Sequence, residues 1–114
     1  MADCVFCLIA TQRIPADVVY EDEDVMAFRD NQPVAPMHIL IIPKRHIASL
    51  QETKPEDGRL LGKLLLVANQ LANEAELPGY RVAINVGKEG GQVVPHLHVH
   101  VIGGRPLAEL PALG

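Results

Sequence analysis

The sequence predicts an α+β fold in which an antiparallel sheet carries one long helix, with a short helix at the N-terminus. Two observations predict it. Strand-like stretches come in runs on either side of a single long helical stretch, instead of alternating with helices one by one. Apolar residues make up 48% of the 114, enough for one packed core in a single domain spanning residues 1–114. Aromatic residues are only 4%, so aliphatic side chains must fill that core.

Each element has its own signal. The N-terminal helix is read over Cys4–Ala10. Strands follow at Val18–Tyr20, Val25–Arg29 and His38–Ile42, rich in β-branched and aliphatic residues. A turn of helix is expected near Ile47–Leu50. The long helix runs from Lys54 to Glu76: Thr53 and Glu56 have capping-box spacing, Pro55 suits a first turn, and Leu77-Pro78-Gly79 is a stop signal. Leu60, Leu61, Leu64, Leu65, Ala68, Leu71, Ala72 and Ala75 recur at helical spacing as one apolar stripe. Leu66 and Val67 fall beside it and are expected to widen the buried face. Two further strands, Arg81–Val86 and Leu97–Ile102, flank a glycine-containing loop over residues 87–95. The run Glu21-Asp22-Glu23-Asp24 reads as a solvated hairpin turn.

Composition excludes several classes. The net charge is −4, and the basic residues are scattered apart from Lys44-Arg45, which argues against a nucleic-acid-coating surface. No apolar stretch approaches bilayer length. The opening Met-Ala-Asp-Cys has no basic or hydrophobic leader, so a reducing cytoplasm is the expected compartment.

The chemistry concentrates in His96-Leu97-His98-Val99-His100-Val101-Ile102. On a strand, alternation puts His96, His98 and His100 on one face and Leu97, Val99 and Val101 on the other. Of the five histidines, the other two, His38 and His46, flank a second apolar run, and none is left over on a surface loop or helix. Such a triple suits either a metal site or a nucleophilic imidazole with neighbours that orient it and contact phosphate. Three imidazoles from one strand fan out along it, so a shared metal needs ligands from elsewhere. Gly90-Gly91 lets backbone N–H groups approach an anion, although a glycine pair alone more often marks a turn. Neither a P-loop nor a dinucleotide fingerprint is present. Cys4 and Cys7 are free thiols, a redox pair, or half of a structural zinc site with His46 and His96 as further ligands.

The segment His96–Ile102 resembles the His-φ-His-φ-His-φ-φ signature of the histidine triad (HIT) superfamily of nucleotide hydrolases and transferases. The resemblance extends through Ile14-Pro15, Ala27-Phe28-Arg29-Asp30, Ala35-Pro36-Met37-His38 with the strand after it, and Gly90-Gly91-Gln92. The ending Gly103-Gly104-Arg105-Pro106 is similar to the Hint branch of nucleoside phosphoramidases. The resemblance implies a HIT-like fold with a five-stranded antiparallel sheet, a homodimer, and a purine nucleotide (AMP or an adenylated amine) as ligand. It implies that His98 attacks the α-phosphorus, giving a covalent nucleotidyl-histidine, with His100, Gly91, Gln92 and Val93 holding phosphate oxygens. His38 would support the cluster, Asn85 would bond near the leaving group, and Asp30 would accept the ribose hydroxyls. Phe6, Ile9, Ile14 and Phe28 would form the base slot. Cys4, Cys7, His46 and His96 match the structural zinc site of some relatives, and catalysis itself would need no cofactor.

The chain also departs from that pattern. Val93 stands where many Hint-type sequences carry serine, Asn31 replaces a usual apolar residue beside Asp30, Pro95 replaces a common aromatic, and the tail Leu107–Gly114 aligns with nothing. Three other readings follow: a dinucleoside polyphosphate hydrolase, a nucleotide-binding regulatory module with weak catalysis, and a metalloenzyme holding its metal on His96, His98 and His100.

Overall fold

In a computed structural model that describes residues 4–108, the chain runs α1 (Val5–Ala10), β1 (Val18–Glu21), β2 (Val25–Arg29), β3 (Met37–Pro43), α2 (Gly58–Glu74), β4 (Tyr80–Ala83) and β5 (Val99–Gly103). The five strands form one antiparallel sheet in the order β1-β2-β3-β5-β4. The α+β, five-stranded expectation therefore holds.

β3 lies at the centre, and all seven of its residues are buried. That double-sided burial explains why Ile39 to Ile42 read as a continuous apolar run instead of an alternating one. One sheet face, with Ile39, Ile41, Val99 and Val101, packs under Leu64, Val67, Ala68 and Leu71 of α2. The opposite face, with Met26, Phe28, Leu40 and Ile42, packs under Phe6 and Ile9 of α1. The register pairs His38 with Ile102 and Leu40 with His100, which brings histidines of β3 and β5 to the α1 side.

Several boundaries move for local reasons. Residues Pro55–Asp57 form a 3-10 turn, so α2 starts at Gly58 and not at Lys54. Pro55 forces Lys54 into extended backbone. The expected Thr53–Glu56 pair is replaced by the Lys54 N–H donating to Asp57 at 2.9 Å, while Thr53 bonds the Leu50 carbonyl. The helical turn expected at Ile47–Leu50 falls at Leu50–Glu52, where Ser49 caps it. α2 ends two residues early because Glu76 adopts a left-handed φ of 57°. β4 stops at Ala83, and β5 starts at Val99 because the Leu97 N–H leaves the ladder to bond Ile47.

The helix stripe is narrower than its sequence. Val67 enters the core, but Leu65, Leu66 and Ala75 face solvent, with Leu66 71% exposed. The acidic run does make the β1–β2 turn, pinned by Asp22, which accepts the Asp24 and Val25 N–H groups and pairs with Lys63 at 2.8 Å. Among the described residues, no helix is long and apolar enough to cross a membrane. Residues 109–114, most of the variable tail, lie outside the described part.

Candidate active site and metal centre

The histidines divide between two neighbouring sites. His98 and His100 are 2% and 1% exposed, and both line a groove of about 730 Å³ on the α1 side of the sheet. His98 Nδ1 donates to the His96 carbonyl at 2.7 Å, so its Nε2 carries the lone pair. The bond spans only two residues of the segment that leads into β5, and it orients the ring as well as fixing its tautomer.

His100 is fixed from the other side. Its Nδ1 lies 2.9 Å from His38 Nε2. His38 Nδ1 in turn accepts the Val34 N–H at 3.2 Å, so a neutral His38 holds its proton on Nε2 and donates to His100. His100 must then carry its own proton on Nε2, a buried atom with no hydrogen-bond partner among the described residues. An unpaired buried N–H is costly to fold around, and a groove-lining imidazole is where a ligand oxygen can satisfy it. Burial pushes the His100 pKa down to about 4, helped by His98 and His38 and opposed by Asp30. Burial also lowers that of His38, again against Asp30. Both rings are neutral at pH 7.

Asp30, Phe6, Ile9, Phe28, His38 and Val93 line the same groove. Phe6 stacks edge-on against His98 and Phe28, with centroids 5.1 and 5.4 Å apart. Ile14 packs against the apolar cluster that contains Phe6, Ile9 and Phe28 without itself lining the groove, and Asn85, in the connection after β4, is not among the lining residues either. Gly91 also stands apart, its N–H spent on the Lys88 carbonyl instead of a phosphate, and so does Gln92, whose N–H goes to the Gly87 carbonyl. Its amide is spent on the Gly87 N–H and on the Ala48 and Val94 carbonyls, which makes it a brace for the loop. Val5, Ala16, Leu40 and Val94 line the groove without having been singled out. Only Cβ direction after folding reveals them, since nothing in their sequence neighbourhood marks them. A second cavity, of about 690 Å³, lies between Leu77, Tyr80, Arg81 and Arg105 and contains none of the histidines.

The other site gathers Cys4, Cys7, His46 and His96. Their donor atoms sit 3.0 to 3.8 Å apart. The edges of a tetrahedron around zinc with sulfur and nitrogen ligands are about 3.3 to 3.8 Å. His96 Nε2 donates to the Pro43 carbonyl at 2.8 Å, which leaves Nδ1 as the free-pair nitrogen facing the thiols. Burial and the adjoining Cys4 raise the Cys7 thiol to about 11, a cost that a divalent cation offsets by binding the thiolate. Donor chemistry and geometry both fit a closed four-coordinate metal. His46 is solvent-exposed on the connection after β3, contrary to the expectation that no histidine occupies a surface loop. It nevertheless meets the cysteines, as its place among the sequence's candidate ligands requires.

His96, His98 and His100 do not converge on one point. Their bonded nitrogens go to Pro43, the His96 carbonyl and His38, so the reading of a catalytic metal on this triple is set aside. Asp30, His38 and His100 are close enough to hold an ion, but the Val34 N–H keeps the His38 proton on the nitrogen that would have to ligate.

Residues 11–107 match the HIT domain family. An uncharacterized HIT-like protein of Synechococcus elongatus is 52% identical over 110 residues, covering 96% of each chain. The crystal structure of a HIT family hydrolase from Legionella pneumophila superposes with a TM-score of 0.91 at 47% identity, covering 93% of this chain and 96% of that one. A Zn-bound histidine triad family protein from Mycobacterium smegmatis superposes with a TM-score of 0.82 at 35% identity, covering 96% of this chain and 80% of that one.

Proposed function

The chain belongs to the HIT domain family, and from that premise we propose that it hydrolyses nucleoside 5′-phosphoramidates through a nucleotidyl-histidine intermediate. The observation that carries the proposal is the pair on the groove floor: His98 with its lone pair on Nε2, and beside it His100 with an unpaired Nε2–H, ring centroids 5.0 Å apart. One nitrogen attacks phosphorus. The other donates to a non-bridging oxygen as charge moves onto it.

In the first step a bond forms between His98 Nε2 and the α-phosphorus, the P–N bond to the amine breaks, and the amine departs with a proton taken from solvent, which the attacking water of the second step gives back. Water then attacks phosphorus, releases AMP and returns His98 to its starting form. The apolar wall of Phe6, Ile9 and Phe28 suits a purine, and Asp30 suits the ribose hydroxyls. Val93 offers no hydroxyl to the phosphate or leaving group, but its backbone N–H remains, so we expect slower turnover or altered leaving-group choice, not inactivity.

The Cys4, Cys7, His46 and His96 cluster would hold a structural zinc that pins α1 to the strap after β3 and to the segment leading into β5. The exposed Leu65 and Leu66 support a homodimer formed across α2. The free thiols suit a reducing compartment such as the cytoplasm.

The test is steady-state hydrolysis of adenosine 5′-phosphoramidate beside a diadenosine polyphosphate, for the parent protein and His98→Ala. AMP release from the phosphoramidate, abolished in the variant, is the expected result. Full activity in His98→Ala would sink the mechanism, and preference for the polyphosphate would move the protein to that class of hydrolase.

A further inference from the structure

We propose that Asp30 is a positioning residue for His100, acting through His38, in addition to any contact it makes with ribose. The inference rests on the hydrolase reading of the groove. Its starting point is the His38 Nε2 proton, which faces two acceptors: His100 Nδ1 at 2.9 Å and Asp30 Oδ2 at 3.3 Å. The carboxylate is itself held, because Oδ1 accepts the Gln32 N–H at 2.8 Å. The His38 side chain is 2% exposed, so water does not compete for that proton.

The alternative tautomer of His38 would place its Nε2 lone pair against a carboxylate and its Nδ1 proton against the Val34 N–H. Both contacts are repulsive, so the ring is locked from two sides. With His38 locked as a donor, His100 Nδ1 can only accept, and its proton stays on Nε2, in the groove. If the charge on Asp30 is removed, one lock opens. His100 then samples the form with its proton on Nδ1, whose Nε2 lone pair repels a phosphate oxygen. A single carboxylate thus couples the ribose end of the groove to the donor at the phosphate end.

The experiment compares Asp30→Asn with the parent protein on adenosine 5′-phosphoramidate and on its 2′,3′-dideoxy analogue. A ribose contact alone changes KM for the first substrate and does nothing on the second. The positioning role lowers kcat by roughly 10- to 150-fold on both, the loss typical of one hydrogen bond to a charged group. Parent-like kcat for Asp30→Asn on the dideoxy substrate overturns the proposal. If the parent protein turns over neither substrate, the hydrolase reading fails separately, and nitrogen-15 NMR of the imidazoles decides. The parent protein should then show Nε2–H at both His38 and His100, with His100 shifting toward Nδ1–H in Asp30→Asn. Unchanged His100 signals in the variant overturn it.

Discussion

Two glycines provide a test in which one chemical change has opposite outcomes. Gly90 lies in the loop between β4 and β5. A Cβ built there collides with the Val86 carbonyl oxygen and meets the Val86 nitrogen at 2.9 Å and its carbonyl carbon at 3.0 Å. All three are backbone atoms of the same loop, so no side chain can swing away. Restoring an ordinary contact requires a displacement of about 1 Å, and overpacking of this kind costs about 1–3 kcal/mol. The loop also carries Gln92, Val93 and Val94, the last two in the groove wall. A shift of about 1 Å at a reacting centre can lower turnover on the order of 100-fold. Gly62 is the control, because it lies inside α2 and a Cβ there meets nothing within 4 Å. Gly62→Ala should stabilise by about 0.5–1 kcal/mol, the entropic penalty of glycine in a helix. Urea unfolding of both variants, with phosphoramidate turnover measured beside it, gives the answer. Gly90→Ala with parent stability and parent turnover would refute the steric reasoning.

Other outcomes follow from the same geometry. Because His100 is held near a pKa of about 4 against 6.5 when unfolded, the unfolded chain binds more protons between those values; stability should fall by about 3 kcal/mol as pH drops from 6.5 to 4, with His38 adding in the same direction, and a flat urea midpoint across that range would contradict it. Chelation should lower the melting temperature and weaken AMP binding, since Cys4 caps α1 and Cys7 lies within it beside the groove residues Phe6 and Ile9; by linkage AMP must tighten zinc by the same factor, and equal AMP affinity with and without metal would rule out the coupling. Leu66→Glu removes an exposed apolar side chain and should convert a dimer to a monomer by sedimentation; persistence of the dimer would place its interface elsewhere.

The sequence by itself determined the sheet-and-helix class, the five strands, and the alternation that sends three histidines one way and three aliphatic residues the other. Each of these depends on local periodicity, which a chain carries whatever its neighbours are. It also named Cys4, Cys7, His46 and His96 together, and the fold brings those four side chains to one place, although the exposed position of His46 was not legible. Tertiary structure decided which apolar helix residues meet the sheet: Leu64 and Val67 do, while Leu65 and Leu66 do not. It reassigned Gln92 from ligand contact to brace, because the carbonyls of Ala48 and Val94 that consume its amide come together only in the folded loop. The protonation pattern of the site was likewise outside the sequence's reach. The proton on His100 is set by a ring 62 residues away and by the Val34 amide beyond it. A tautomer is fixed by what a nitrogen faces, and only the packed sheet brings those partners together.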